Sequence, residues 1–302
     1  MTVLINVVLP VFIVIGVAAL AQMRLRLEVR TVSRVVFYLF SPALVFDSLA
    51  TSDVSSTDVG RIAAVFVVTT LALWALTATA TKILHLEGPT QAAFLTAMLV
   101  MNAGNYGLSV NLFAFGEPGL ARASVYFTLS AILSASLGVY LSARGRASSL
   151  VALRRVASVP LIYAAVLGLI FNLYGWIAPE PLQKAVHLLG QASVPAMLVV
   201  LGMSLAETFR NSGQGLPLQA LGIVTVGRLL VAPALTWAVA GLVGLTGLAR
   251  DVTVLESAMP TAVITTILAT EFDTNPPFAA MCVLITTLFS LPTVTILLNW
   301  IA

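Results

Sequence analysis

Apolar runs of about 20 residues separated by short polar breaks recur along the whole chain, and a bilayer core of about 30 Å takes about 20 helical residues to cross. Ten such stretches fall at roughly 3–22, 32–50, 62–84, 89–115, 120–142, 153–177, 182–206, 217–246, 251–270 and 276–300. Of the 302 residues, 59% are hydrophobic and only 9% charged, whereas a soluble domain carries about 25% charged residues. The pattern predicts an all-α integral membrane protein with no part left for a soluble domain. The opening MTVLINVVLP lacks the basic segment that precedes a cleaved signal sequence, so the first run is expected to remain as a span.

The net charge of +3 needs no nucleic acid to explain it. With the N-terminus outside, Arg24, Arg26, Arg30, Arg34, Lys82, Arg144, Arg146, Arg154, Arg155, Arg210 and Arg228 fall on inner connections and their flanks. Only Arg61, Arg122, Lys184 and Arg250 fall outside. This bias obeys the positive-inside rule and predicts both termini outside a cytoplasmic (inner) membrane. Cys282 is alone in an apolar run, which excludes a disulfide framework or a CxxC site. His85 and His187 have no partner at metal-ligand spacing, so neither a metal nor a cofactor is expected.

The two halves match in their irregularities. Pro10 in VVLPVFIVIG pairs with Pro160 in ASVPLIYAAVLG, Pro42 in SPALVF with Pro195 in VPAMLV, and NAGNYGLSVNLFAFG with SAMPTAVITTILATE, at shifts of 150, 153 and 155 residues. Such a repeat divides the chain at 1–148 and 149–302. Five spans per repeat force the second copy into the membrane from the opposite face. Inverted repeats with interrupted helices are a signature of secondary transporters.

The interruptions fall in spans 4 and 9. Asn102 lies twelve residues beyond Thr90, about 18 Å deep, and Pro260 nine residues beyond Asp251, about 14 Å deep from the other face, at 1.5 Å per residue. Gly104 and Gly107 tolerate irregular backbone, and Pro260 cannot continue a helix. The second half-helices, expected to start near 105–107 and 261, would present the positive ends of their dipoles at the midplane, a setting that suits an anion. Carboxamides of Asn102 and Asn105 and hydroxyls of Ser257 and Thr261 could then donate to a carboxylate. Tyr106 could stack on that substrate or simply pack, and Asn111 reads as polar glue between helices.

Ionisable groups inside spans are candidate functional groups. Glu256, one turn before Pro260, could carry a coupling proton or Na⁺, or pair with Arg250. Asp47 and Arg228, near span ends, are expected to face water or snorkel to the headgroups.

NAGNYGLSVNLFAFGEPGLA (102–121) and ESAMPTAVITTILATEF (256–272) resemble spans 4 and 9 of the auxin efflux carrier family, whose plant branch holds the PIN-FORMED exporters and whose bacterial branch holds malate and malonate permeases. The resemblance covers nearly the full length. It implies ten spans in two inverted five-helix repeats, a fold related to the bile acid/sodium symporters, with Asn102 and Pro260 at the crossing. It also implies a scaffold (1–50 and 150–208), a transport domain (58–145 and 213–302) moving as an elevator, and a homodimer contacting through the scaffold. Two positions depart from the family pattern: Met101 and Ser109 stand where prolines are found in other members.

The expected function is therefore non-enzymatic: secondary transport of a small organic anion, a carboxylate, with possible H⁺ or Na⁺ coupling. The alternative is a sodium- or proton-coupled transporter of the bile acid/sodium symporter type. Intramembrane proteolysis lacks its Ser–His or paired-Asp arrangement, and no P-loop marks a nucleotide-driven pump.

Overall fold

The computed structural model describes residues 3–86, 88–142, 154, 156–210 and 217–301. These residues form α1 (Leu4–Leu25), α2 (Val29–Ala50), α3 (Ser56–Ile83), α4 (Gly88–Leu99), α5 (103–115), α6 (117–142), α7 (Pro160–Tyr174), α8 (Glu180–Arg210), α9 (Leu218–Val243), α10 (Gly247–Ser257), α11 (Ile264–Glu271) and α12 (Pro276–Ile301). Seven helices among the described residues are long and apolar enough to cross a membrane, one of them a 103–138 unit that Gly116 (φ 65°, ψ −160°) divides into α5 and α6. The runs expected at 89–115 and 251–270 are each a pair of half-helices, α4/α5 and α10/α11. The expected repeat junction at 148/149 lies outside the described residues, as does part of the 208–213 link.

Apolar side chains face outward along the long helices, including Ile13, Val17, Leu20, Leu242 and Ile296, while Ser and Thr residues are buried between helices. A soluble protein reverses this order; a lipid-facing surface requires it, because only the interior can satisfy polar groups. Most buried hydroxyls donate to the carbonyl one turn back, as Thr236 does to Ala232 and Thr253 to Ala249.

Prolines shape the helices locally. Leu4–Val8, Val36–Phe40 and Gly227–Val231 are widened π turns, and each precedes a proline, Pro10, Pro42 or Pro233. The ring of a helical proline pushes away the carbonyl four residues back, and a widened turn accommodates it. The fourth such turn, Ala103–Leu108, precedes Ser109 instead. This widened turn thus forms with serine rather than proline after it.

α1 packs along α8, and α2 against α7 and α8. Close approach needs small residues: a Cβ on Gly202 would overlap the Ile15 carbonyl. α3, α5, α6 and α9 to α12 gather around the two interrupted segments. The α2–α3 connection is tied twice. Asn172 Nδ2 donates to the Ser52 carbonyl, and Arg122 of α6 donates to Asp53 at 2.9 Å and to the Pro118 carbonyl at 3.0 Å. Asp47, expected to face water, instead lies 2.8 Å from His187 Nδ1 and is only 20% exposed. Both sit at helix ends where polar pairs can remain near solvent.

The Arg122 guanidinium beside Asp53 holds that carboxyl below the usual carboxylate range, chiefly through the hydrogen bond. A carboxyl depressed in the folded state contributes stability above its unfolded value, lost as pH falls through its folded one. Asp53→Asn should therefore lower the melting temperature at pH 7 by at most about 4 °C, Asp53 being 70% exposed. The difference should begin to shrink below about pH 4 and vanish only below the depressed folded value, as read by melting curves across pH.

Candidate functional site

α10 ends at Ser257 because Pro260 supplies no N–H and restricts the residue before it to extended backbone. α4 ends at Leu99 with no proline in its break; its backbone leaves the helix to pair with the other segment. The Asn102 N–H donates to the Pro260 carbonyl at 2.8 Å, and the Ala262 N–H donates to the Val100 carbonyl at 3.0 Å. Met101 and Thr261 thus form an antiparallel bridge. An unpaired peptide group in hydrocarbon costs several kcal/mol, and each break satisfies the other's. The chain resumes helix at Ala103, through Tyr106 and Gly107 N–H groups that both donate to the Asn102 carbonyl, and at Ile264. These starts lie slightly earlier and slightly later than expected.

Helices leave their last carbonyls without intrahelical donors, and at the crossing these are met by side chains. Arg228, fully buried on α9, donates to the carbonyls of Met98 at 3.2 Å, Ser257 at 2.7 Å and Met259 at 3.0 Å. Thr261 Oγ1 donates to the Ala97 carbonyl, and the Thr261 N–H to Thr286 Oγ1, both at 3.0 Å. The expectation that Arg228 snorkels to the headgroups is wrong: helix-end carbonyls replace water around its charge. The sequence held a signal for this, since an arginine within an apolar run is functional by default.

The other expected residues gather around the same bridge. Asn102 is 3% exposed, and its Nδ2 has no hydrogen-bond partner. Asn105 is half-buried. Tyr106 is fully buried, with its hydroxyl accepting from Ser290 Oγ at 3.2 Å and its ring edge-on to Phe12 at 6.0 Å. The Ser257 hydroxyl donates back to Val254 at 2.7 Å, so it and Thr261 are both occupied within the protein. Gly104 faces the Phe127 ring, where a Cβ would stand 2.6 Å away. Met101 Sδ accepts from Ser130 Oγ at 3.2 Å.

Glu256 is fully buried and does not reach Arg250, which pairs with Asp251 at 3.0 Å. Helix α10 instead turns it toward α5. Asn111 Nδ2 bridges, donating to Glu256 Oε1 and to the Gly107 carbonyl, each at 2.9 Å. Glu256 Oε2 and Asn111 Oδ1 have no partners. No three His, Cys, Asp or Glu residues among the described ones cluster as metal ligands. The arrangement offers a free amide donor at Asn102 and a carboxyl able to gain or lose a proton. A cavity of about 270 Å³ lies elsewhere, between the ends of α2, α7 and α8, lined by Asp47, Phe171, Asn172 and Trp176 among others.

The Glu256 carboxyl fits only because position 107 has no side chain, since a Cβ there would overlap both carboxyl oxygens. Gly107→Ala should destabilise the fold by about 1–3 kcal/mol through overpacking. In a Glu256→Ala background the same change should cost under about 0.5 kcal/mol, a coupling that a double-mutant cycle on thermal melts measures.

Comparison of the sequence with known proteins points to membrane transport. A family profile described as "Membrane transport protein" matches residues 3–151 and 141–298. The chain is 30% identical over 274 residues to an "Uncharacterized transporter" of Methanothermobacter thermautotrophicus, covering 87% of this chain and 86% of that one. It is 28% identical over 145 residues to auxin efflux carrier component 8 of Arabidopsis thaliana, covering 46% and 39% of the two chains. A Rhizobium meliloti protein named "Putative malonate transporter" is 27% identical over 213 residues, 65% of this chain and 63% of that one. With the family match running over nearly its whole length, the chain belongs to the membrane transport proteins of the auxin efflux carrier family.

Proposed function

We propose that this membrane transporter is a secondary carrier of a small organic anion, a carboxylate, working by alternating access around the crossed breaks. The observation that carries the proposal is the antiparallel bridge between Met101 and Thr261 with the partnerless Asn102 amide beside it. Two interrupted segments running in opposite directions and meeting inside the protein are what inverted repeats of five spans each, 1–148 and 149–302, would produce. The relative whose name refers to malonate is consistent with a carboxylate.

In this reading α1, α2, α7 and α8 form a scaffold, through which two copies dimerise, and the remaining helices form a transport domain. That domain moves as an elevator within the cytoplasmic membrane, both termini outside, in a fold of the bile acid/sodium symporter type. The extensive packing of α1 on α8 and of α2 on α7 supports the grouping. Asn102 and Asn105 hold the carboxylate at the start of α5, where the helix dipole is positive. Ser257 and Thr261, whose hydroxyls are occupied in this conformation, shape the crossing beside them, and Tyr106 packs against Phe12 on the scaffold side.

Asn102→Ala removes a buried Nδ2 that makes no hydrogen bond within the protein, so the fold should survive it. Carboxylate binding should weaken by about 10–100-fold, the loss of one hydrogen bond to a charged group. The measurement is thermal stabilisation of the purified protein titrated with malonate and related acids; unchanged binding overturns the site. Glu256 carries the coupling proton in this scheme. Glu256→Gln should leave carboxylate binding within about 3-fold but make uptake into liposomes insensitive to a pH gradient, the neutral amide being unable to release a proton.

A further inference from the structure

Transporters with broken helices hold their coupling cations on unwound carbonyls and half-helix C-terminal ends. Here two such ends meet, at Leu99 of α4 and Ser257 of α10, and the carbonyls they present are already occupied. Arg228 Nη1 takes Met98, and Nη2 takes Ser257 and Met259, at 2.7 to 3.2 Å. No carboxylate pairs with the guanidinium: the ion pairs formed among the described residues are Arg122–Asp53, Lys184–Glu180, His187–Asp47 and Arg250–Asp251. Each helix C-terminus carries about −0.5 charge, so the two together match the single positive charge of Arg228. Its neighbour Gly227 lies against the Met98 side chain, where a Cβ would stand 2.5 Å from Met98 Cε.

We infer that Arg228 is a tethered cation, occupying with its own guanidinium the carbonyl cage that would otherwise take a bound Na⁺, and that the crossing is therefore complete without Na⁺. A free ion binds and leaves with each transport cycle; an arginine held by α9 cannot. Resting on the transporter reading above, the consequence is that carboxylate movement is independent of a Na⁺ gradient, leaving H⁺ or no ion as the coupled species. Lysine cannot substitute fully, because a compact ammonium lacks the planar fork that spans three carbonyls.

The test is thermal melting of the full chain in detergent, in buffers of equal ionic strength with Na⁺, K⁺ or N-methylglucamine as sole cation. Wild type should melt at one temperature in all three. Arg228→Ala should melt at least about 4 °C lower and recover saturably with added Na⁺ or methylguanidinium, whereas Arg228→Lys should fall between the two. A wild-type melting temperature that rises saturably with Na⁺ overturns the inference. So does an Arg228→Ala protein that keeps wild-type stability, or that folds and gains from neither cation. If Arg228→Ala does not fold, the wild-type comparison still decides. These melts need no substrate, so they stand whether or not carboxylates bind. In liposomes, uptake driven by a Na⁺ gradient would overturn Na⁺ independence while leaving anion transport intact.

Discussion

The structure depends on one pairing, the antiparallel contact of Val100–Asn102 with Pro260–Ala262. Breaking a helix inside an apolar environment exposes peptide groups that nothing in lipid can satisfy. One break alone would be prohibitive in such a setting. Two breaks brought together supply each other with donors and acceptors, so each segment depends on the other's irregularity. The proline of α10/α11 is sufficient for both, because the Pro260 carbonyl accepts the N–H that Asn102 cannot use in a helix.

What the bridge leaves unsatisfied, α9 and α12 complete. Arg228 and Thr286 reach in from these two helices to the half-helix ends and to the Thr261 N–H. α5 and α10 then meet through Asn111, Glu256 and the bare backbone of Gly107. The polar interior is thus tightly bonded, with a few atoms left over: Asn102 Nδ2, Asn111 Oδ1, Glu256 Oε2 and Ser109 Oγ. Buried polar groups without partners are uncommon in folded proteins. With Arg228 Nε, also without a partner, five such atoms lie around one crossing.

Several of these features were legible from residue types. The apolar runs and the positions of Asn102 and Pro260 located the membrane helices and both interruptions, since a proline or a glycine-rich polar segment within such a run has few explanations. Asn111 read as polar glue and does join two helices. Less legible was which partner each polar group finds. Glu256 is equally able by sequence to reach Arg250 on its own helix; packing turned it instead toward α5. Ser257 and Thr261 were expected beside the asparagines as donors, and their bonds to Val254 and Ala97 depend on how half-helix ends are oriented. Neither Met101 nor Ser109 needs a proline for the local backbone to depart from a regular helix. Pairing with the second segment breaks the helix at one, and a widened turn forms without a ring at the other.

By itself the sequence determined that the chain is a membrane-spanning helical protein with two interrupted spans, because hydrophobic length and helix-breaking residues act locally. Only the tertiary structure decided that the interruptions pair with each other and that Arg228 is buried at their ends. The bonds Met98–Arg228 and Asn111–Glu256 join residues 130 and 145 positions apart. The charge of an arginine in an apolar run can be met by headgroups, by a carboxylate or by helix-end carbonyls. Which of these it meets is set by how helices distant in sequence pack, and no local pattern records it.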